Sequence, residues 1–208
     1  MPDLSTLVMF SSASVLLALA PGPDNIFVLT QSALKGKLVG LVVTMGLCTG
    51  LLVHTSAVVL GAAVIFQTSA LAFHALKYIG AGYLLYLAWH AFRAGATRVD
   101  SQQTQEISLW RYYVRGIIMN VTNPKVSIFF LAFLPQFTTP GRGSLSLQLI
   151  VLGLLFIVAT FVVFGAISLL AATLGQLLTK SDRLQILLNR VAGTVFVGLA
   201  LKLATAER

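Results

Sequence analysis

The sequence predicts an all-α integral membrane protein with six transmembrane helices forming two inverted three-helix repeats, and three observations point there. Hydrophobic residues make up 57% of the 208-residue chain and charged residues only 10%, against about 25% charged in soluble domains. Six apolar stretches reach the roughly 20 residues that cross the hydrocarbon core of a bilayer. The first and fourth of these are broken by proline, and the breaks carry the ionisable residues set deepest in the apolar spans.

The first span runs from about Thr6 to Ala33 and is broken at Pro21-Gly22-Pro23. Prolines remove backbone donors and glycine permits unusual torsions, so a helix entering from Leu7 ends here. Pro23 suits the first position of a new helix, which leaves Asp24 and Asn25 at its positive end. Met1–Ala20 resembles a signal peptide ending in Ala18-Leu19-Ala20. Its only charged side chain is Asp3, however, and Pro21 would follow the cut, so it reads as a retained span.

The second span covers about Leu38–Phe66 and the third about Leu71–Phe92. Gly46 and Gly50 form a small-xxx-small pair, suited either to packing within one subunit or to the seam of a homodimer. A polar segment, 95–112, then joins a first half (1–94) to a second (113–208), with no separate soluble domain. Trp89, Trp110, Tyr112 and Tyr113 flank it as interfacial anchors.

The fourth span, about Val114–Phe137, contains Asn120 and the break Asn123-Pro124-Lys125; the fifth is about Leu145–Leu174 and the sixth about Leu184–Leu203. Asn123 is placed to cap the helix that Pro124 begins. Lys125 then stands near a positive helix end and needs an anionic partner, either Asp24 or a ligand.

The net charge of +8 is scattered between spans rather than gathered on one face, which argues against nucleic acid. Lys35 and Lys37, the arginines around the central segment, and Lys180, Arg183 and Arg190 fall on one side; Lys77 and Arg142 are the chief positive charges of the opposite loops. The positive-inside rule puts the first groups in the cytoplasm and both termini in the periplasm. The halves then have opposite orientations, as in transporters with broken helices near the midplane.

Intramembrane charges default to function, which singles out Asp24 and Lys125. Asn25, Gln31, Asn120 and Asn123 supplement them, and together they suit a small zwitterion such as an amino acid. His54 lies mid-span and serves either as a proton relay or as an interhelical hydrogen bond. His74 and His90 read as interfacial. The lone Cys48 excludes an intrachain disulfide, and no cluster has metal-ligand spacing. Hydrolase motifs and the P-loop are absent, so neither an enzyme nor a cofactor is expected. Export of a metal ion or other small cation is the alternative cargo reading.

These residues resemble the lysine exporter superfamily, in particular its homoserine/threonine efflux branch. The resemblance rests on Pro21-Gly22-Pro23-Asp24-Asn25, Gly46-x-x-x-Gly50-x-x-Val53-His54, Tyr83-Leu84-Leu85-Tyr86-Leu87-Ala88-Trp89, and Asn120-Val121-Thr122-Asn123-Pro124-Lys125 with Phe129–Phe137 after it. It implies a bacterial inner-membrane exporter of amino acids or their derivatives, coupled to protons. Pro21, Gly22, Pro23, Asp24, Asn123, Pro124 and Lys125 fall on the family's signature positions. The chain departs from the family in having Asp24 where Asn is common, and Leu51 where many relatives have an acid. Beyond about Gly143 the likeness is one of hydrophobicity alone.

Overall fold

The computed structural model describes residues 2–68, 70–94, 108–139, 141–180 and 182–205. Eight α-helices and no strand occur among them: α1 (Leu4–Leu19), α2 (Pro23–Lys35), α3 (Lys37–Thr68), α4 (Ala70–Arg93), α5 (Leu109–Val121), α6 (Pro124–Ile128), α7 (Leu145–Lys180) and α8 (Asp182–Ala204). The central segment expected at 95–112 lies outside the described residues up to 107; α5 begins at Leu109.

Both expected breaks are present. The chain bends by 61° between α1 and α2 and by 50° between α5 and α6. Among the described residues α3, α7 and α8 are each long and apolar enough to cross a membrane, and each bent pair passes the same test when taken as one span. The total is then five. α4, the expected third span, is a 24-residue helix but is not in this set.

The helices pack in an interlocked bundle: α3 lies along α5 and α7, α4 along α8, and α1 and α2 against α7. The α3–α5 contact depends on glycine. A Cβ on Gly46 would lie 2.1 Å from the Tyr113 carbonyl oxygen, and one on Gly116 would lie 2.5 Å from that of Val43. Close backbone approach of this kind is what small residues allow between helices in lipid. Gly50 likewise abuts Asn120. The small-xxx-small pair is therefore used within the subunit.

Downstream of the second break the chain leaves regular α geometry. α6 lasts five residues, then passes into a π-helical turn (Phe129–Phe133) and a 3-10 turn (Leu134–Phe137). This change of winding lets Phe129, Phe130 and Phe133 all be fully buried. Their rings join those of Phe10, Phe137 and Phe156, with Phe129–Phe133 centroids 4.9 Å apart and Phe10–Phe137 5.1 Å apart. Tilted and edge contacts at such distances are favourable for aromatic pairs.

Two expectations about polar residues are corrected. Lys77 is a buried residue in the body of α4, where the sequence reading had it as a loop charge. Tyr112 is buried with Val28, Val43 and Leu47 instead of anchoring at an interface. The cause is the same in both: a polar tip on an otherwise apolar face does not reveal which side of a helix its neighbours cover.

Candidate functional site

The two breaks meet. Asn123 is the N-cap of α6: its Oδ1 accepts from the Lys125 backbone N–H at 3.0 Å, while its Nδ2 donates to Asp24 Oδ2 at 2.9 Å. One side chain thus caps its own helix and grips the acid of the other break, 99 residues away. Asp24 sits in the first turn of α2, where the aligned peptide dipoles favour a carboxylate.

Lys125 is buried, yet it forms no direct ion pair with Asp24. Its Nζ donates to the carbonyl oxygens of Ala20 at 3.2 Å and Leu17 at 3.5 Å. These belong to the end of α1, among the carbonyls that a terminating helix leaves without partners, and that end carries negative partial charge. The expectation that Lys125 needs an anionic partner is answered by backbone, a partner no side-chain letter announces.

Gly22 explains how Lys125 gets there. Its φ of −169° is extended and open to any residue, so torsional freedom is not its purpose. A Cβ at this position would lie 3.1 Å from Lys125 Nζ, so the missing side chain makes room for the ammonium. Pro23 takes the first position of α2 and Pro124 that of α6, as expected. Pro21 lies between the two helix ends and Asn25 stitches the break from inside, its Nδ2 donating to Ala18 O at 2.7 Å.

A cavity of about 20 Å³ lies at this junction, lined by Leu17, Ala18, Asp24, Asn120, Lys125, Val126, Phe156, Thr160 and Phe164. That is room for about one water molecule. Asp24 Oδ1 is buried and has no hydrogen-bond partner. Asn123, Asn25 and Gln31 do not line the cavity. Gln31 is seven residues beyond Asp24, roughly 10 Å along α2.

His54 also stays off the cavity wall. Its Nε2–H donates to the Asn120 carbonyl oxygen at 3.1 Å, and its ring lies 5.6 Å from that of Phe130. The interhelical hydrogen bond, one of its two expected roles, is thus present. The residues missed by the sequence reading are Thr160 and the phenylalanines beside it on α7. Among the described residues no three His, Cys, Asp or Glu side chains gather as a metal site would need.

Broken helices whose ends converge on a buried polar pocket define a class of membrane transporter. A family model of LysE type translocators matches residues 15–207, and the chain belongs to that family. It is 34% identical over 194 residues to the homoserine/homoserine lactone efflux protein of Salmonella typhimurium, covering 93% of each chain. It is 30% identical over 205 residues to an uncharacterized membrane protein of Vibrio cholerae, covering 99% of each. No solved structure matches. The chain is a membrane translocator of the LysE type and not an enzyme.

Proposed function

We propose that this protein exports a small amino acid or amino-acid derivative across the bacterial inner membrane by alternating access. The observation that carries the reading is the meeting of the two breaks at one cavity holding Asp24 and Lys125. Asp24 Oδ1, already buried without a partner, accepts the substrate ammonium; Lys125 turns its remaining N–H toward the carboxylate. Asn123 positions Asp24, and Asn120 completes the wall. The pocket holds about one water, so loading a substrate requires the two halves to separate here.

In this reading the chain forms six spans in two inverted halves with both termini periplasmic, and the halves rock about the crossed breaks. Export is coupled to protons, with Asp24 and His54 as the side chains that relay them. The Lys125 ammonium in the cavity wall argues against a metal or other small cation as cargo, since that cargo would meet a like charge.

The test is efflux of labelled homoserine, threonine and apolar amino acids from proteoliposomes, with and without a proton gradient. Loss of efflux in both Asp24→Ala and Lys125→Ala is expected. Wild-type transport of every substrate by both variants would sink the proposal, and movement of metal ions alone would replace it with the cation reading.

A further inference from the structure

Hydroxyls in the helices of this protein follow a common habit. Ser12, Ser14, Ser32, Thr44, Thr49, Thr55, Ser56, Ser127, Ser168 and Thr194 each donate to the carbonyl four residues back, at 2.6–3.1 Å. This is the usual local solution for a hydroxyl in an apolar environment. Thr160 breaks it. The residue is 3% exposed, sits mid-way along α7, and makes no hydrogen bond among the described residues. It also lies on the cavity wall.

Its neighbours on that wall are Phe156 and Phe164, four residues before and after, which share one face of the helix. The α7 wall is therefore apolar with a single hydroxyl at its centre. The charged wall is opposite in character, formed by Asp24 and Lys125 from α2 and α6. A zwitterion whose charged ends are held by that wall presents its side chain to α7. A hydroxyl on a cavity wall with no protein partner is left open to one from a ligand.

We infer that Thr160 is a specificity-determining residue that hydrogen-bonds a hydroxyl on the side chain of a short aliphatic amino-acid substrate. The inference rests on the export reading above and adds the group that selects among substrates. Thr160 acts as donor or acceptor to that hydroxyl, while Phe156 and Phe164 exclude longer or charged side chains.

The test uses the full chain in proteoliposomes and two near-isosteric pairs, threonine against valine and homoserine against norvaline. Wild type is expected to move the hydroxylated member of each pair with the higher kcat/KM. Thr160→Val, which keeps the shape and removes the hydroxyl, is expected to shrink that preference roughly tenfold, mostly through KM for the hydroxylated member. Thr160→Ser is expected to restore it to within about threefold. An unchanged ratio in Thr160→Val overturns the inference while leaving export intact. An equal loss of all four substrates in both variants also overturns it, since that is the mark of a purely structural role. A wild type that moves none of the four overturns the export reading and this inference with it.

Discussion

The two helix breaks look alike in sequence and do opposite work. The first, between α1 and α2, offers acceptors: the carbonyls of Leu17, Ala18 and Ala20 and the carboxylate of Asp24. The second, between α5 and α6, supplies donors: Lys125 Nζ and Asn123 Nδ2. The second break is finished locally, because Asn123 caps α6. The first is not, since Gly22 has no side chain to cap α2 and the end of α1 is satisfied partly by Lys125 from the other break. The breaks are complementary rather than duplicate. A pair built this way ties the two breaks together through a few polar bonds across an otherwise apolar contact.

The largest effect is therefore expected at Lys125, the residue that completes the other break. Lys125→Met keeps the length and removes both charge-assisted bonds to α1. Each such bond contributes about 1.5–3 kcal/mol, so an efflux loss of roughly 100-fold is expected, with a lower melting temperature in detergent. If Lys125→Met retains efflux within a few-fold of wild type, the trans-capping role is wrong. Asn123→Ala comes next. It removes two neutral-donor bonds at once, the cap and the grip on Asp24, and a loss of about 10-fold is expected. Asn123→Asp keeps the cap and sets two acids against each other. If it transports better than Asn123→Ala, the Asp24 bond is the minor half of the role.

How much of this was legible in the sequence follows from what polar letters can and cannot say. Prolines and isolated charges in apolar spans are rare, so both breaks, Asp24, Asn123 and Lys125 stood out, and all of them meet. The partner of Lys125 did not, because a backbone carbonyl has no letter and its exposure depends on where a distant helix ends. Thr160 was invisible for a different reason: threonine is common in apolar helices, and only the absent back-bond together with a place on the cavity wall distinguishes it. Gly22 stood out for the wrong cause, with room for Lys125 in place of an unusual torsion. Nothing in Phe129–Phe133 announces a π turn, which arises from fitting several large rings into one core.

Gly22 gives a smaller and sharper probe of the same joint. In Gly22→Ala the new methyl meets the flexible tip of Lys125 at 3.1 Å, so the ammonium must shift by a few tenths of an ångström. Overpacking typically costs about 1–3 kcal/mol, and a mobile neighbour puts this case at the lower end. Efflux reduced about fivefold is expected, with no further loss when Gly22→Ala is added to Lys125→Met. If the two losses multiply in the double variant, Gly22 serves the break through something other than Lys125.

The smallest effect belongs to the far end of α1, which is finished by its own side chain as α6 is. Asp3 accepts from the Thr6 backbone N–H at 2.8 Å and from Ser5 Oγ at 2.9 Å, and Arg142 approaches it at 3.1 Å. Those bonds, the Thr6 amide foremost, pull its carboxyl from 3.8 down to about 2. A depressed acid contributes stability that is complete above its unfolded value and lost as pH falls through the folded one. Asp3→Asn keeps a competent cap and removes only the charge. A small drop in melting temperature relative to wild type is expected at neutral pH, because exposed ion pairs contribute little. The gap between the two should close as pH falls from about 4 to about 2. Efflux should be unaffected, since this end of α1 is held locally and takes no part in the joint at the other. A change in efflux at Asp3 without a change in stability would mean that both ends of α1 move together.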